Sequence, residues 1–461
     1  MRSAEPSVRV RLLPVRMHRI AVVAPDEALR DALLRVADAG VVDLDDPSGG
    51  TTPARTGRAV LSRTAPDTAG PGRAAAWAGE AELRRYAESA TRRSGVAALL
   101  GWCPAPELPG LATRLAEVGA APVPLRRPPG VDPPTMLPPA GPVRRSARPL
   151  VRTYGTVAYR DLDPTPLAGV AYALMFGMMF GDIGHGLVLV AGALLVRYGR
   201  WRRLAALRPV WPFLAGAGLA SIAAGALYGE FFGPTGLVPA LWLSPTDAPV
   251  RLLAAGIGVG AVLLAASYTM GIVNRWREGG PGLALYAASG IAGAALFLGL
   301  GVLAGGIYLS VPTVVGLGAA LAASGVALAT IGFYLAAGGG GTGVVQAAVE
   351  LVDTVVRVGT NLVSFARLAA FGLTHAALGA LVWAGVVALG GAGWLGVLAA
   401  AVVFLAGNAL TFALEGLVAA VQALRLEFYE MFSRIFAAEG RPYVPWHIPL
   451  EDLASTREER P

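Results

Sequence analysis

The sequence predicts a mainly α membrane protein: eight transmembrane helices carrying a small N-terminal cytoplasmic α/β lobe. Three observations predict it. Of the 461 residues, 54% are hydrophobic and only 15% charged, against roughly a quarter charged in a soluble domain. The charge is segregated, with residues 1–165 rich in Arg, Asp, Glu and Pro and residues 166–437 mostly Ala, Leu, Gly and Val. That second region also divides into apolar stretches close to the ~20 residues that cross a bilayer. The expected division is a cytoplasmic α/β domain with a short arm over 1–150, a membrane domain over 151–437 and a cytoplasmic tail over 438–461.

Within the first region, VRMHRIAVV reads as a strand, DEALRDALLRVADAG as an amphipathic helix stopped by Gly40, and VVDLDD as a second strand. A similar order recurs at GVAALLGWC, PELPGLATRLAEVG and AAPVPLRR, so two β-α-β units make one lobe, with the strand pairing left open. Between them, 47–75 is a Gly/Pro/Thr/Ala linker and GEAELRRYAESATRR a short charged helix. Residues 126–149 are too Pro-rich for a helix or central strand and are expected to run extended. The opening residues lack the apolar core and cleavage site of a secretory signal, so this region is expected in the cytoplasm.

Composition excludes several functions. Cys103 is the only cysteine, which rules out an intramolecular disulfide and a thiolate metal cluster. All 38 basic residues are Arg, so a Walker A loop, which needs Lys on the phosphates, is absent, and GGGGTG at 338–343 reads as a linker. No cofactor is implied. The formal charge of +7 needs no nucleic-acid partner, since basic loops facing the cytoplasm account for much of it.

Spans are expected at about 211–232, 250–273, 283–304, 313–337, 344–387 and 394–436. The stretch 166–197 would be roughly 48 Å long as one helix. Charge decides its reading. Arg197, Arg200, Arg202, Arg203 and Arg208 form one basic loop and Arg275 and Arg277 another, whereas the loops 233–249, 305–312 and 388–393 contain no Arg. Basic loops lie inside. A cytoplasmic N-terminal region then requires an even number of crossings before Arg197, hence a hairpin turning near GDIGHG, eight spans and both termini inside.

The last two spans carry groups that lipid penalises. Arg357, Asn361, Ser364 and Arg367 are spaced four, three and three apart and form one stripe on a helix. Asp353 pairs with Arg357 at i, i+4. Arg367, in the middle of its predicted helix and without an acid within a turn, costs ~2.5 kcal/mol or more at mid-membrane and must face protein, water or a partner carboxylate. His375 lies two turns on and has a near-neutral unperturbed pKa. In the final span Asn408, Glu415 and Gln422 are seven apart on one face, followed by Arg425, Glu427 and Glu430. Such a polar track is the signature of an ion path.

Several stretches resemble the a/I subunit family of V-type and archaeal-type ATPases: DLDPTPLAGVAYALMFGMMFGDIGHG, VSFARLAAFGLTHAAL and LEGLVAAVQALRLEFYEMFSRIFAAEGRPYVPW, with weaker matches at MHRIAVVAPDEALRDALLRVADAGVVDLDD and LLGWCPAPE. The resemblance implies a cell-membrane stator subunit that hydrolyses nothing itself. Its partners would be a rotor ring of proteolipid c/K subunits, peripheral stalk subunits and, indirectly, the catalytic head. It implies that Arg367 faces the ring carboxylates, that Arg425 is a second arginine, that His375 and Glu415 line half-channels and that Glu430 is an acid at the cytoplasmic end. Asp182 and His185 match the hairpin turn, as a hydrogen-bonded turn first and a conduction element second. No metal site is expected there, because the sequence places no third ligand beside them. The family's long coiled coil and distal lobe have no counterpart in the short interval between the β-α-β units. A stand-alone proton-coupled secondary transporter is the competing reading; it predicts an inverted repeat, and none is visible between spans 1–4 and 5–8.

Overall fold

The computed structural model describes residues 12–45, 59–61, 74–199, 202–391, 393–436 and 439–449. The chain divides into two compact units, one of residues 13–138 with 440–461 and one of 1–12 with 139–439.

The first unit is the α/β lobe. Strand β1 (Met17–Pro25) leads into helix α1 (Leu29–Ala39), which buries Leu29, Leu33, Val36 and Ala37 and ends where Gly40 turns left-handed at φ 59°. Strand β2 (Asp43–Leu44) follows, then helix α2 (Ala74–Ser89), strands β3 (Thr91–Arg93) and β4 (Val96–Pro104), helix α3 (Leu108–Ala116) and strand β5 (Ala121–Leu125). The sheet order is β2-β4-β1-β5, with β3 also paired to β4, and every pairing is antiparallel. The pairing left open by sequence is therefore the split β-α-β arrangement, in which each unit inserts a strand between the other's two. The charged helix begins and ends earlier than its sequence suggests. It stops at Ser89, and Thr91–Arg93 return as a strand through Ser94 and Gly95, both at positive φ. Most of the predicted 47–75 linker lies outside the described residues.

The C-terminal tail completes this lobe's core. Trp446 is only 6% exposed, packs on Tyr86 at 5.0 Å between ring centroids and donates through Nε1 to Glu82 at 2.9 Å. Arg441 bonds Asp43 at 2.8 Å, Tyr443 donates to the Val41 carbonyl and Trp446 N–H to the Val42 carbonyl.

The second unit is helical. It opens with α4 (Pro142–Tyr154), a correction to the extended run expected over 126–149. Pro142 sits in the first turn, where no N–H is needed, and the helix tolerates Pro149 because it buries Ser146, Ala147, Leu150 and Val151 along one face. Then come α5 (Thr165–Met179), α6 (Ile183–Tyr198), α7 (Trp211–Tyr228), α8 (Pro249–Tyr286), α9 (Ile291–Tyr308), α10 (Pro312–Ala336), α11 (Gly340–Ser364), α12 (Ala366–Gly390) and α13 (Gly393–Leu426). A π-helical segment, Glu427–Phe432, continues α13.

Among the described residues six helical runs are long and apolar enough to cross a membrane, not eight: 205–228, 249–286, 291–308, 312–336, 340–390 and 393–435. The chain turns between α5 and α6 at 180–182, as GDIGHG suggested, but these arms of 15 and 16 residues reach only ~22–24 Å, short of a ~30 Å core. Nor do they close on each other as a tight hairpin, since both pack against α7 through Gly177 and Gly186. Arg275 and Arg277 are not in a loop. They lie on α8, whose break comes at Gly280 (φ 76°) before Pro281, and Arg275 is buried with Glu278 at 2.7 Å.

Candidate functional site: buried charged pairs between the last helices

The helical run over 340–390, which contains the expected span 344–387, is interrupted for one residue. Phe365 separates α11 from α12, is fully buried and wedges against Gly260 of α8, where a Cβ would stand 2.2 Å from its ring. Arg367 is therefore in the first turn of α12 instead of mid-helix, so an irregular turn displays it. Its Nε donates to the Ser364 carbonyl at 3.1 Å and one Nη to Glu430 Oε1 at 3.0 Å. The other, Nη1, has no hydrogen-bond partner among the described residues. Glu430 lies in the π-helical segment, where one residue per turn more than in an α-helix rotates the face presented. The Arg367 side chain is 26% exposed and Glu430's 6%. Arg367 and Ser364 also line an open groove of about 470 Å³ with Val355, Val356, Gly359, Thr360 and Val363.

The rest of the polar stripe has separate duties. Asp353 and Arg357 form the expected i, i+4 pair, both exposed. Asn361, with its amide oriented to satisfy both atoms, donates to the Arg357 carbonyl and accepts from Arg434, each at 3.1 Å. Arg425 is exposed and makes no hydrogen bond or ion pair among the described residues; the structure does not join it to Arg367.

A second group lies further along α12. His375 Nδ1 meets Glu415 Oε2 of α13 at 2.5 Å. Asn408 donates to the Phe404 carbonyl, and Gln422 Oε1 is buried without a partner among the described residues. Asp182 caps α6: Oδ1 accepts from the His185 N–H at 2.8 Å and Oδ2 from the Gly233 N–H at 2.9 Å. The hydrogen-bonded turn is thus present. It lies flush on α7 because Gly225 has no side chain; a Cβ there would stand 2.5–2.8 Å from the Asp182–Ile183 backbone. His185, 2% exposed, is enclosed by Phe180, Phe232, Phe412 and His375 at 5.2–5.9 Å between centroids.

The third ligand that sequence did not place beside Asp182 and His185 is His375, 190 residues on from His185. One potential ligand atom from each of the three lies within 4.8 Å of the others. Sequence reasoning also passed over Glu230. It is 3% exposed, and its Oε2 is unpartnered among the described residues and 3.9 Å from where a Cβ on Gly379 would stand. The signal was available: an acid in YGEFFG, directly after an apolar span, should have stood out.

Six long apolar runs with charged pairs buried between them define a multi-pass membrane protein built around ionisable groups. Residues 89–279 match the model of the V-type ATPase 116kDa subunit family. The A-type ATP synthase subunit I of Thermococcus kodakarensis is 26% identical over 386 residues, covering 77% of this chain and 54% of that protein. That of Aeropyrum pernix is 29% identical over 376 residues, with 71% and 52% covered. The human V-type proton ATPase 116 kDa subunit a 3 is 32% identical over 155 residues, 31% of this chain and 19% of that protein. Over most of its length the chain is thus similar to subunits of this V/A-type ATPase subunit I family. It spans about half the length of the archaeal relatives it matches.

Proposed function

We propose that the chain is the membrane stator subunit of a rotary ATPase, forming proton half-channels against a rotor ring of proteolipid subunits and coupling translocation to ATP hydrolysis or synthesis in a separate catalytic head. The observation that carries this reading is Arg367, anchored by Glu430 and the Ser364 carbonyl while part of its side chain lines an open groove. The small and β-branched groove residues leave room for an apolar helix bearing a carboxylate.

A ring carboxylate crosses lipid protonated, because a bare carboxylate there is very costly. Beside Arg367 the fixed cation favours its charged form and the proton leaves. The exposed part of the guanidinium receives the incoming carboxylate while Glu430 holds the arginine from the protein side, so it stays in register as carboxylates pass. The same cation repels a proton moving directly between half-channels. Glu415 and His375, on the next turns of the same helix pair, serve the second half-channel, with Asn408 and Gln422 along its wall. Arg425, outside these contacts, would meet the ring from the exposed face. In this reading α5 and α6 complete eight crossings as a short pair, both termini are cytoplasmic, and stalk subunits hold the lobe.

The test is ATP-driven proton uptake into vesicles carrying the assembled complex. Arg367→Ala abolishes uptake while the complex still assembles. Full pumping by that variant would overturn the mechanism.

A further inference from the structure

We propose that Asp182, His185 and His375 form a binding site for a divalent transition-metal cation of the zinc class. Two imidazoles and one carboxylate are the donor set of an open zinc site, with three protein ligands and a fourth position for water. Imidazole also selects zinc-class ions over magnesium or calcium, which prefer oxygen.

The geometry is close to what such an ion needs. His185 Nδ1 and Asp182 Oδ1 are 3.5 Å apart, near the separation of about 3.4 Å between two ligand atoms on one tetrahedral zinc with ~2.1 Å bonds. With all three ligand atoms within 4.8 Å of one another, coordination draws each inward by less than about 1 Å.

His185 itself points to a ligand. Its side chain is 97% buried, and Nδ1 faces Asp182 Oδ1 at 3.5 Å without making a hydrogen bond to it, an arrangement that a cation between the two would relieve. The ring is held by the aromatic enclosure and by a polar contact with the Asn408 backbone. The supporting groups are also in place. Glu415 on His375 Nδ1 makes Nε2 the lone-pair nitrogen, which is the carboxylate–histidine–metal arrangement. Asp182 is oriented by two backbone N–H groups and keeps lone pairs on both oxygens. The Glu230 carboxyl, with Oε2 unpartnered among the described residues, lies close to Asp182 and His375.

The chain has four histidines, and the other two, His18 and His447, belong to the α/β lobe, which makes the site separable. The full chain, purified in detergent, is titrated with Co2+ as the spectroscopic probe. Wild type takes up one Co2+ with the intense visible absorption of tetrahedral coordination, displaced by Zn2+. A His18→Gln/His447→Gln double variant behaves the same. His185→Gln and His375→Gln lose the saturable absorption, and Glu415→Gln weakens binding about 10- to 100-fold. No tetrahedral absorption in wild type overturns the proposal, whatever the variants do. So does its loss in the His18→Gln/His447→Gln protein, or its retention in folded His185→Gln. Metal binding is read without ATP or a proton gradient, so failure of the rotary reading leaves it standing, and the reverse.

Discussion

Replacing Glu430 by Gln isolates the energetics of the Arg367 pair. The Glu430 side chain is 6% exposed and Arg367's 26%, with Arg367 keeping one other hydrogen bond, to the Ser364 carbonyl. Removing one member of a fully buried ion pair costs about 3–5 kcal/mol, mostly from stranding the remaining charge. Here a quarter of the arginine faces the groove, where solvent screens it, and the Ser364 bond survives. Discounting for both leaves a cost of about 2 kcal/mol for Glu430→Gln. Arg367→Gln strands the carboxylate at a similar cost. The double replacement strands neither, so the two single costs exceed the double by about 1–2 kcal/mol, within the range for contacting residues. The assay is equilibrium unfolding of the detergent-solubilised chain, followed by helicity in all four proteins of the cycle. Additivity to within about 0.5 kcal/mol would show that the two charges do not support one another and would refute the pairing.

Three further outcomes follow from the regions outside the membrane. Trp446→Ala destabilises the α/β lobe by about 3–5 kcal/mol, read as faster amide exchange in β1 and β4; unchanged protection would mean the tail is not part of the core. Burial, reinforced by Glu107, pushes the Cys103 thiol up to about 12, so maleimide leaves the native chain unmodified at neutral pH and labels it once denatured; prompt native labelling refutes this. Asp161 is held well above the usual carboxylate range, first by burial and then by the neighbouring Glu278 carboxylate. A raised folded-state pKa favours folding at low pH, and that contribution disappears as pH rises from about 4 through the elevated value. Asp161→Asn therefore flattens the stability profile across that window, and an unchanged slope would rule out Asp161 as its source.

Much of this protein is local, and local features are legible in sequence. The strands at Met17–Pro25 and Val96–Pro104, the Gly40 stop and the long apolar helices each follow from a period of two or 3.6 or from one residue's backbone preference. Asp353 with Arg357 is likewise one helical turn. Two local readings gave way because packing overrode propensity: Pro149 is carried inside α4 by its buried face, and Phe365 interrupts the seventh stretch by wedging into α8.

Residue types and their costs in lipid singled out Arg367, Arg425, His375 and Glu415 without any coordinates, and the family resemblance added Glu430. Which of them meet was not in the sequence. Glu430 reaches Arg367 across 63 residues and Glu415 reaches His375 across 40, while Arg425, equally conspicuous, is left outside. The capping turn at Asp182 is set locally, but His375 arrives there only through the packing of α12. Likewise, nothing in the tail's composition says that Trp446 lies against Tyr86. Hydrophobic periodicity determines which face of each helix is buried; the identity of the groups that meet on those faces depends on helix crossings and rotations set by the packing of all the helices together.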